Sequence, residues 1–257
     1  MSTREINRDA WNYYAEQGDR WSTAVSSNEI TQARQGNWHV YLTESKAVPR
    51  SWFGELLGKA VLCLASGGGQ QVPILAAAGG KVTSFDNSPK QLALDKMVAE
   101  REGLSIDLEE GDMCDLSRFK HESFDLIFHP CSNLFILDVR PVWLECFRVL
   151  KPGGILLSGF LNPMEYIFDW EQEDRGILEV KHHLPFSSLE TYGETYLREQ
   201  RETSEYSHSL ESQIGGQLAA GFILTDLYES FREAGSSPKA KYFPSYLATR
   251  ALKPGLS

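Results

Sequence analysis

The residues of this chain best suited to hold a nucleotide-like ligand are a run of glycines and an aspartate that follows them. An apolar run of strand length, Ala60–Ala65, is followed by Ser66 and then by Gly67, Gly68 and Gly69, and Asp86 ends the next apolar run. Glycines at the exit of a strand let the backbone turn tightly and approach a ligand, and the helix that follows presents unpaired N–H groups. A carboxylate at the tip of the second strand can accept both hydroxyls of a ribose. The pattern therefore predicts a strand, glycine turn, helix and strand that bind a nucleoside-bearing cofactor.

The spacing of these glycines distinguishes between cofactors. A dinucleotide fingerprint, Gly-x-Gly-x-x-Gly, requires a third glycine where Val72 stands, so hydride transfer with a nicotinamide is disfavoured. The stretch instead resembles the first motif of class I S-adenosylmethionine-dependent methyltransferases, an acidic residue followed by x-Gly-x-Gly-x-Gly. In this alignment Cys63 replaces the acid and Ala65 replaces the first glycine, whereas Gly67 and Gly69 are retained.

A second stretch carries the same resemblance more specifically. Residues 145–154 read ECFRVLKPGG and are similar almost letter for letter to the family's E-x-x-R-V-L-K-P-G-G. More narrowly, the chain resembles bacterial small-molecule methyltransferases that carry stretches like those at 36–38, 65–71 and 208–211. The resemblance implies transfer of a methyl group from S-adenosylmethionine to a small-molecule acceptor. It leaves open whether oxygen, nitrogen, carbon or sulfur is methylated.

The resemblance also implies a set of cofactor contacts at the carboxyl ends of the strands. Tyr14 belongs to an aromatic N-terminal helix that closes over the cofactor in such methyltransferases. Asp112 stands where an acid receives the adenine amino group, and a helix N-cap is its alternative role. Gln91 also completes a predicted capping box that begins at Ser88, with Pro89 as the first helical residue. The implied cofactor-binding residues are Tyr14, Ala65, Ser66, Gly67, Gly69, Asp86, Asn87, Gln91, Asp112, Met113 and His129.

Two histidines are candidates for a catalytic base, which the reaction needs only if the acceptor carries a proton of high pKa. His129 follows the predicted fourth strand, and His208 opens the helix after a predicted cap; a structural role is the alternative for both.

Pro130-Cys131 resembles the nucleophile of cytosine carbon-5 methyltransferases, but the acidic charge and short chain favour a buried or incidental thiol. Nothing in the sequence requires a metal.

Apolar runs that alternate with helical periods predict an α/β fold, a Rossmann-like doubly wound seven-stranded sheet with an N-terminal helical lid and a cap inserted after the fifth strand. The predicted divisions are the lid at 1–50, the cofactor-binding core at 51–161, the substrate cap at 162–208, and the C-terminal helix and last strands at 209–257. Later strands are predicted at Ile106–Glu110, Phe124–Phe128, Ile155–Phe160, Phe222–Tyr228 and Tyr242–Ala251, and helices at Arg4–Trp21, Pro89–Gly103, about Asp138 to Leu150, and Ser209–Gly221. Gly215 and Gly216 predict a close contact or a break in the last helix.

Composition narrows the class of partner. A formal net charge of −10 disfavours binding to a phosphate backbone, so a nucleic-acid methyltransferase is the minor alternative. The N-terminus is polar and no apolar run is long enough to cross a bilayer, which predicts a cytoplasmic protein without membrane contact. The altered residues at 63 and 65 leave a second alternative, a protein that binds S-adenosylmethionine or its demethylated product as a non-catalytic sensor or partner subunit. The sequence does not indicate an oligomeric state.

Overall fold

The computed structural model describes residues 2–255, and its central feature is a seven-stranded mixed sheet. The strands are β1 (Ala60–Leu64), β2 (Lys81–Asp86), β3 (Ile106–Glu110), β4 (Phe124–His129), β5 (Leu150–Leu161), β6 (Ile223–Ser230) and β7 (Tyr246–Leu252). The strand order is β3-β2-β1-β4-β5-β7-β6. The first five strands are parallel to one another, whereas β7 is antiparallel to both β5 and β6. The predicted Rossmann-like seven-stranded fold is confirmed.

Helices cover both faces of this sheet. The helices within residues 2–255 are α1 (Thr3–Gln17), α2 (Ser27–Arg34), α3 (Gln71–Ala77), α4 (Pro89–Glu102), α5 (Arg140–Val149), α6 (Trp170–Glu173), α7 (Ser188–Tyr192), α8 (Glu194–Gln200) and α9 (Gly216–Ala219). Strand side chains alternate between the faces, so Val61 and Cys63 pack with α2, α3 and α4, whereas Leu62 and Leu64 pack with α5. None of the helices in this part of the chain is long and apolar enough to span a membrane.

Several element boundaries differ from the prediction for local reasons. The predicted helix from Arg4 to Trp21 ends at Gln17, because Gly18 adopts a left-handed φ of 66° and closes the helix. The last strand begins at Tyr246 rather than at Tyr242. Pro244, which has no N–H to donate to a sheet, lies between these two positions.

The fifth strand and the last helix also differ from the prediction. The strand begins at Leu150, and its pairing with β4 shifts register, so that Leu150 lies opposite Phe124 and Ile155 opposite Leu126. Instead of one helix over 209–221, a π-helical turn over Glu211–Gly215 precedes the short α9. The predicted close contact is present there, since a Cβ on Gly216 would lie 2.6 Å from Trp143 Cδ1.

Candidate active site

A cavity of about 850 Å³ lies at the carboxyl ends of the parallel strands, where β7 begins. We call the part at the first three strands the β1–β3 end; it is lined by Ala65, Ser66, Gly67, Asp86, Asn87, Gly111, Asp112 and Met113. The other part, the β4–β7 end, is lined by Leu42, Thr43, Glu44, Cys131, Leu161, Glu205, Arg232 and Tyr246. The N-terminal segment contributes further wall residues, among them Asn7, Trp11, Tyr14 and Trp21. The volume is typical of a site that encloses small molecules.

The glycine turn is held by backbone hydrogen bonds to β2 and α4. The N–H groups of Gly67, Gly68 and Gly69 donate to Asp86 Oδ2 (3.0 Å), the Gln91 carbonyl oxygen (3.1 Å) and Asp95 Oδ1 (2.7 Å). These N–H groups therefore stabilise the turn. Gly69 was predicted to contact the cofactor, but it is not among the cavity-lining residues.

Asp95 supplies a carboxylate to this turn that the sequence did not lead us to expect. It is completely buried on α4, and its Oδ2 accepts a hydrogen bond of 2.7 Å from Ser84 Oγ while Oδ1 accepts one from Gly69. Burial raises the pKa of Asp95 to about 7. The motif acid is replaced by Cys63, so the chain fixes its glycine turn with an acid from a different element. The sequence did contain one signal for this role, because Asp95 lies on the apolar face of α4, three residues from Leu92.

Ala65 stands where the family motif has its first glycine, and its backbone has kept the conformation that glycine favours. Its φ is 49°, in the left-handed region that side-chain-bearing residues rarely adopt. The following residue contributes an unsatisfied group, since within residues 2–255 the buried Ser66 Oγ has no hydrogen-bond partner. Gln91 Oε1, at the same end of the cavity, is likewise buried and without a partner in the described chain.

Asp86 joins the glycine turn to the start of α4. Besides the bond to Gly67, its Oδ1 accepts the N–H of Ser88 at 2.9 Å. Burial raises the pKa of Asp86, and the backbone N–H groups that it accepts oppose that rise. The carboxylate therefore lines the cavity with its position fixed on two sides.

Asn87 and Gln91 line the cavity, but their amides bind the N-terminal segment. Asn87 Oδ1 accepts from Arg4 Nε and its Nδ2 donates to the Arg4 carbonyl oxygen, both at 2.9 Å. Gln91 Nε2 donates to Ser22 Oγ at 2.6 Å and to the Trp11 carbonyl oxygen at 3.3 Å. The predicted capping box is therefore incomplete: Ser88 Oγ accepts the Gln91 N–H, while the Gln91 side chain points to the lid.

Asp112 and Met113 lie in the cavity wall at the carboxyl end of β3. Asp112 Oδ1 also accepts the N–H of Cys114 at 2.9 Å, so this carboxylate caps a turn. Asp112 therefore caps a turn and not a helix, since no helix lies between β3 and β4 of the described chain, and its place in the cavity wall remains compatible with contact to the cofactor.

The N-terminal helix α1 contacts both sides of the cavity. Asn7, buried on α1, donates to the carbonyl oxygens of Phe135 (2.7 Å) and Ser204 (3.1 Å) and accepts the Ser204 N–H at 2.6 Å. Tyr14 lines the cavity and donates to Glu202 Oε2 at 3.4 Å, and burial raises its pKa. Sequence reasoning missed Asn7, because its partners are distant along the chain.

Neither predicted catalytic histidine is part of the cavity wall. His129 is completely buried, with Nδ1 3.0 Å from the Leu64 carbonyl oxygen and Nε2 2.7 Å from Asn133 Oδ1. His208 Nε2 lies 2.9 Å from the carbonyl oxygens of Asn133 and Ile136. Burial lowers the pKa of both histidines. These contacts place both histidines outside the cavity wall and favour structural roles, and a base at either residue and cofactor contact by His129 stay predictions.

The β4–β7 end is rich in charged groups, most of which are paired. The Glu44 carboxylate accepts from Tyr246 Oη at 3.0 Å and pairs with Arg20 and, at 3.7 Å, with Arg232. Arg232 also pairs with Glu165 at 2.9 Å.

Cys131 reaches the same end of the cavity but is not suited to act as a nucleophile. Burial, with a smaller contribution from the nearby Glu205 carboxylate, raises the pKa of its thiol to about 12. The reactive form of cysteine is the thiolate. The structure therefore disagrees with the cytosine-methyltransferase alternative for this residue.

Comparisons by sequence identify related proteins. Residues 62–158 match a family model described as a methyltransferase domain. An uncharacterised methyltransferase of Bacillus subtilis, YbaJ, is 49% identical over 250 residues, which cover 96% of this chain and 97% of that protein. A ubiquinone biosynthesis O-methyltransferase of Nitrosococcus oceani is 35% identical over 119 residues, 44% of this chain and 49% of that protein.

Solved structures share the fold at low sequence identity. An S-adenosylmethionine-dependent methyltransferase of Mesorhizobium loti matches with a TM-score of 0.62 and 18% identity over 79% of this chain and 94% of that chain. The [4+2]-cyclase SpnF matches with a TM-score of 0.58 and 17% identity over 99% of this chain and 97% of that chain. At this level of identity the likeness establishes the fold and not the reaction.

Proposed function

The chain belongs to the class I S-adenosylmethionine-dependent methyltransferases, and on that premise we propose that its acceptor is a small molecule enclosed between the lid and residues 162–208. One observation carries this proposal. A continuous cavity reaches from the glycine turn to Glu205, with residues from α1 and from 202–205 in its wall. An acceptor at the β4–β7 end would lie between α1 and residues 202–205, which favours a small molecule over a polymer.

The residues at the β1–β3 end fit the cofactor. Asp86 is placed at a strand tip to accept ribose hydroxyls, and Asp112 and Met113 would face the adenine. The unpartnered Ser66 Oγ and Gln91 Oε1 would meet the polar groups of the amino-acid part. S-adenosylmethionine supplies the methyl group on a sulfonium, an electrophile that needs orientation and exclusion of water more than activation.

The built β4–β7 end also argues against the sensor alternative, because a protein that only binds the cofactor has no need of a second compartment. Nucleic acid remains the minor alternative, opposed by the net charge of −10. The cytoplasmic location remains a prediction.

The proposal is tested by calorimetric titration followed by acceptor assays. Purified protein is titrated with S-adenosylmethionine, its demethylated product S-adenosylhomocysteine, and a nicotinamide dinucleotide as a negative control. Product formation is then measured with panels of phenols, alcohols, amines and thiols beside DNA, RNA and denatured protein. We expect both adenosyl compounds to bind and turnover to occur in the small-molecule panels.

Other outcomes separate the alternatives. Turnover with DNA or RNA alone would refute the small-molecule acceptor while leaving the methyl transfer intact. Tight binding of both adenosyl compounds without turnover in any panel would favour the sensor. Folded protein, freed of copurified ligand, that binds neither compound would refute the cofactor site.

A further inference from the structure

We propose that Glu205 receives the proton of the methyl acceptor, and that the acceptor is an amine, alcohol or phenol carried on an apolar body. This inference rests on the proposed function and names its acceptor class. Glu205 lies in the segment after α8 and lines the β4–β7 end of the cavity.

The backbone of Glu205 is fixed from both directions. Its N–H donates to Ser188 Oγ at 2.7 Å, and its carbonyl oxygen accepts the Ser188 N–H at 2.9 Å. The carboxylate is fixed as well, because Oε2 accepts from Tyr166 Oη at 3.0 Å and Oε1 accepts from Thr203 Oγ1 at 3.1 Å. A group held in this way is oriented before a ligand arrives.

Glu205 differs from Glu44 and Glu165 in having only neutral partners, and it is less exposed than Glu202, which in the described chain likewise pairs with no arginine or lysine. Glu44 pairs with two arginines, and Glu165 pairs with Arg232 and, at 3.0 Å, with Lys239. Within residues 2–255, no arginine or lysine nitrogen lies within 4.0 Å of the Glu205 carboxylate. A carboxylate in a cavity wall without a cation attracts a ligand that brings a positive charge or an acidic proton.

Burial adds to this attraction. It raises the pKa of Glu205, and Glu202 raises it further, whereas the bonds from Tyr166 and Thr203 and the charge of Arg232 oppose the rise. A carboxylate with a raised pKa is a stronger base than an exposed one.

The walls around Glu205 define the rest of the acceptor. Leu42, Leu134, Leu161 and Tyr246 also line the cavity, and Leu161 pairs with Tyr246 across β5 and β7. These side chains favour an apolar or aromatic body, with the polar nucleophile as the part that reaches Glu205.

The proton balance of the transfer follows from this placement. An amine that binds as an ammonium ion would first give one proton to Glu205, which frees the nitrogen lone pair for attack on the methyl carbon. With an alcohol or phenol, the proton would pass to Glu205 as the oxygen attacks. In both cases the new bond to the methyl carbon would replace the bond from that carbon to sulfur, whose electron pair would stay on sulfur and neutralise the sulfonium. Glu205 then releases the proton to solvent when the product leaves.

The test uses three small compounds of matched size as probes: phenethylamine, 2-phenylethanol and phenylacetate. Each is titrated by calorimetry into protein saturated with S-adenosylhomocysteine. We expect the amine and the alcohol to bind at least about tenfold more tightly than phenylacetate, since a carboxylate would face an unpaired carboxylate. In Glu205→Gln this preference should disappear, while the affinity for S-adenosylhomocysteine stays within about twofold of wild type.

Two further variants make the comparison interpretable. Glu199→Gln removes an exposed carboxylate from α8 outside the cavity and should behave as wild type. Glu205→Asp keeps the charge, so it should retain the preference for the amine even if Glu205→Gln fails to fold.

Three results would overturn the inference: phenylacetate that binds as tightly as the amine, a preference that survives Glu205→Gln, or no binding of any probe to protein that does bind S-adenosylhomocysteine. Failure to bind S-adenosylhomocysteine itself would instead refute the proposed function on which the inference rests. The two failures are therefore distinguishable in one set of titrations.

Discussion

Substitution of Asp95 by asparagine would measure how much free energy of unfolding the protein loses by holding the glycine turn with a buried charge. The side chain is inaccessible to solvent and the pKa of its carboxyl is about 7, compared with 3.8 for an unperturbed aspartate. Because the pKa is raised in the folded state, the folded protein retains a proton that the unfolded chain has lost. Stability therefore falls as the pH rises from about 4 to about 7, by about 4 kcal/mol in total.

Asparagine keeps the shape of this side chain and removes the titration. We expect the free energy of unfolding of Asp95→Asn, relative to wild type, to increase by about 3 kcal/mol between pH 5 and pH 8. Urea unfolding followed by tryptophan fluorescence at each pH measures this difference. Asp107→Asn, which changes an exposed aspartate on β3, is the matched control and should leave the difference flat.

Ligand affinity tests the other role of Asp95. Alanine leaves the Gly69 N–H without an acceptor, so Asp95→Ala should weaken the binding of S-adenosylhomocysteine by about 1.5–3 kcal/mol. Asparagine still offers Gly69 an oxygen and should weaken binding by less. If the difference in the free energy of unfolding between wild type and Asp95→Asn is the same at all pH values, no buried charge is present at Asp95. Unchanged affinity in Asp95→Ala would show that the turn does not depend on this residue.

Three other substitutions test the remaining parts of the site. Asp86→Ala should weaken S-adenosylhomocysteine binding in calorimetry by about 1.5–3 kcal/mol through the lost ribose hydrogen bonds, and an affinity within twofold of wild type would mean that the ribose lies elsewhere. Ala65→Gly should raise the free energy of unfolding by about 0.5–1 kcal/mol, because relief of left-handed strain exceeds the entropy that glycine loses, and a decrease in urea experiments would contradict this. His129→Ala should lower stability by about 3 kcal/mol, since it leaves a cavity and removes the partner of Leu64 and Asn133. A loss of turnover of about 10² without loss of stability would support His129 as a base.

The parts of this protein that could be predicted from its sequence depend on residues close together along the chain. The glycine turn and Asp86 follow from a strand, turn, helix and strand within one short segment. The alternation of Val61 and Leu62 between the two faces of the sheet follows from the period of a strand. Such features are specified locally, so a single sequence contains enough information to find them.

The differences from the prediction concern side chains with a choice of partners. Gln91 has the spacing of a capping box, but Ser22 on the lid offers its amide a partner inside the protein. His129 has the position of a base, but Asn133 and the Leu64 carbonyl oxygen occupy both ring nitrogens. In each case the side chain bonds to a group that approaches it only in the folded protein, and the local sequence pattern contains no information about that group.

Glu205 was missed for the same reason, because its role depends on contacts between distant segments of the chain. Nothing in its sequence context separates it from the other carboxylates of residues 162–208. Its distinction is that Glu44 and Glu165 take the nearby arginines and it does not. That difference exists only once distant segments of chain have come together.

The contacts of α1 also determine when this site can form as the chain is made. Asn7 lies at the beginning of the chain, but the backbone that it binds at Ser204 is 197 residues away in sequence. Closing so long a loop costs entropy that is recovered only when both segments are present. The partners of α1 at Asn87 and Gln91 are synthesised earlier, but the backbone at Ser204 is synthesised 197 residues after Asn7, so the contacts of α1 are completed only then. Cofactor binding should be acquired late in synthesis, and a chain truncated before Ser204 should lack it.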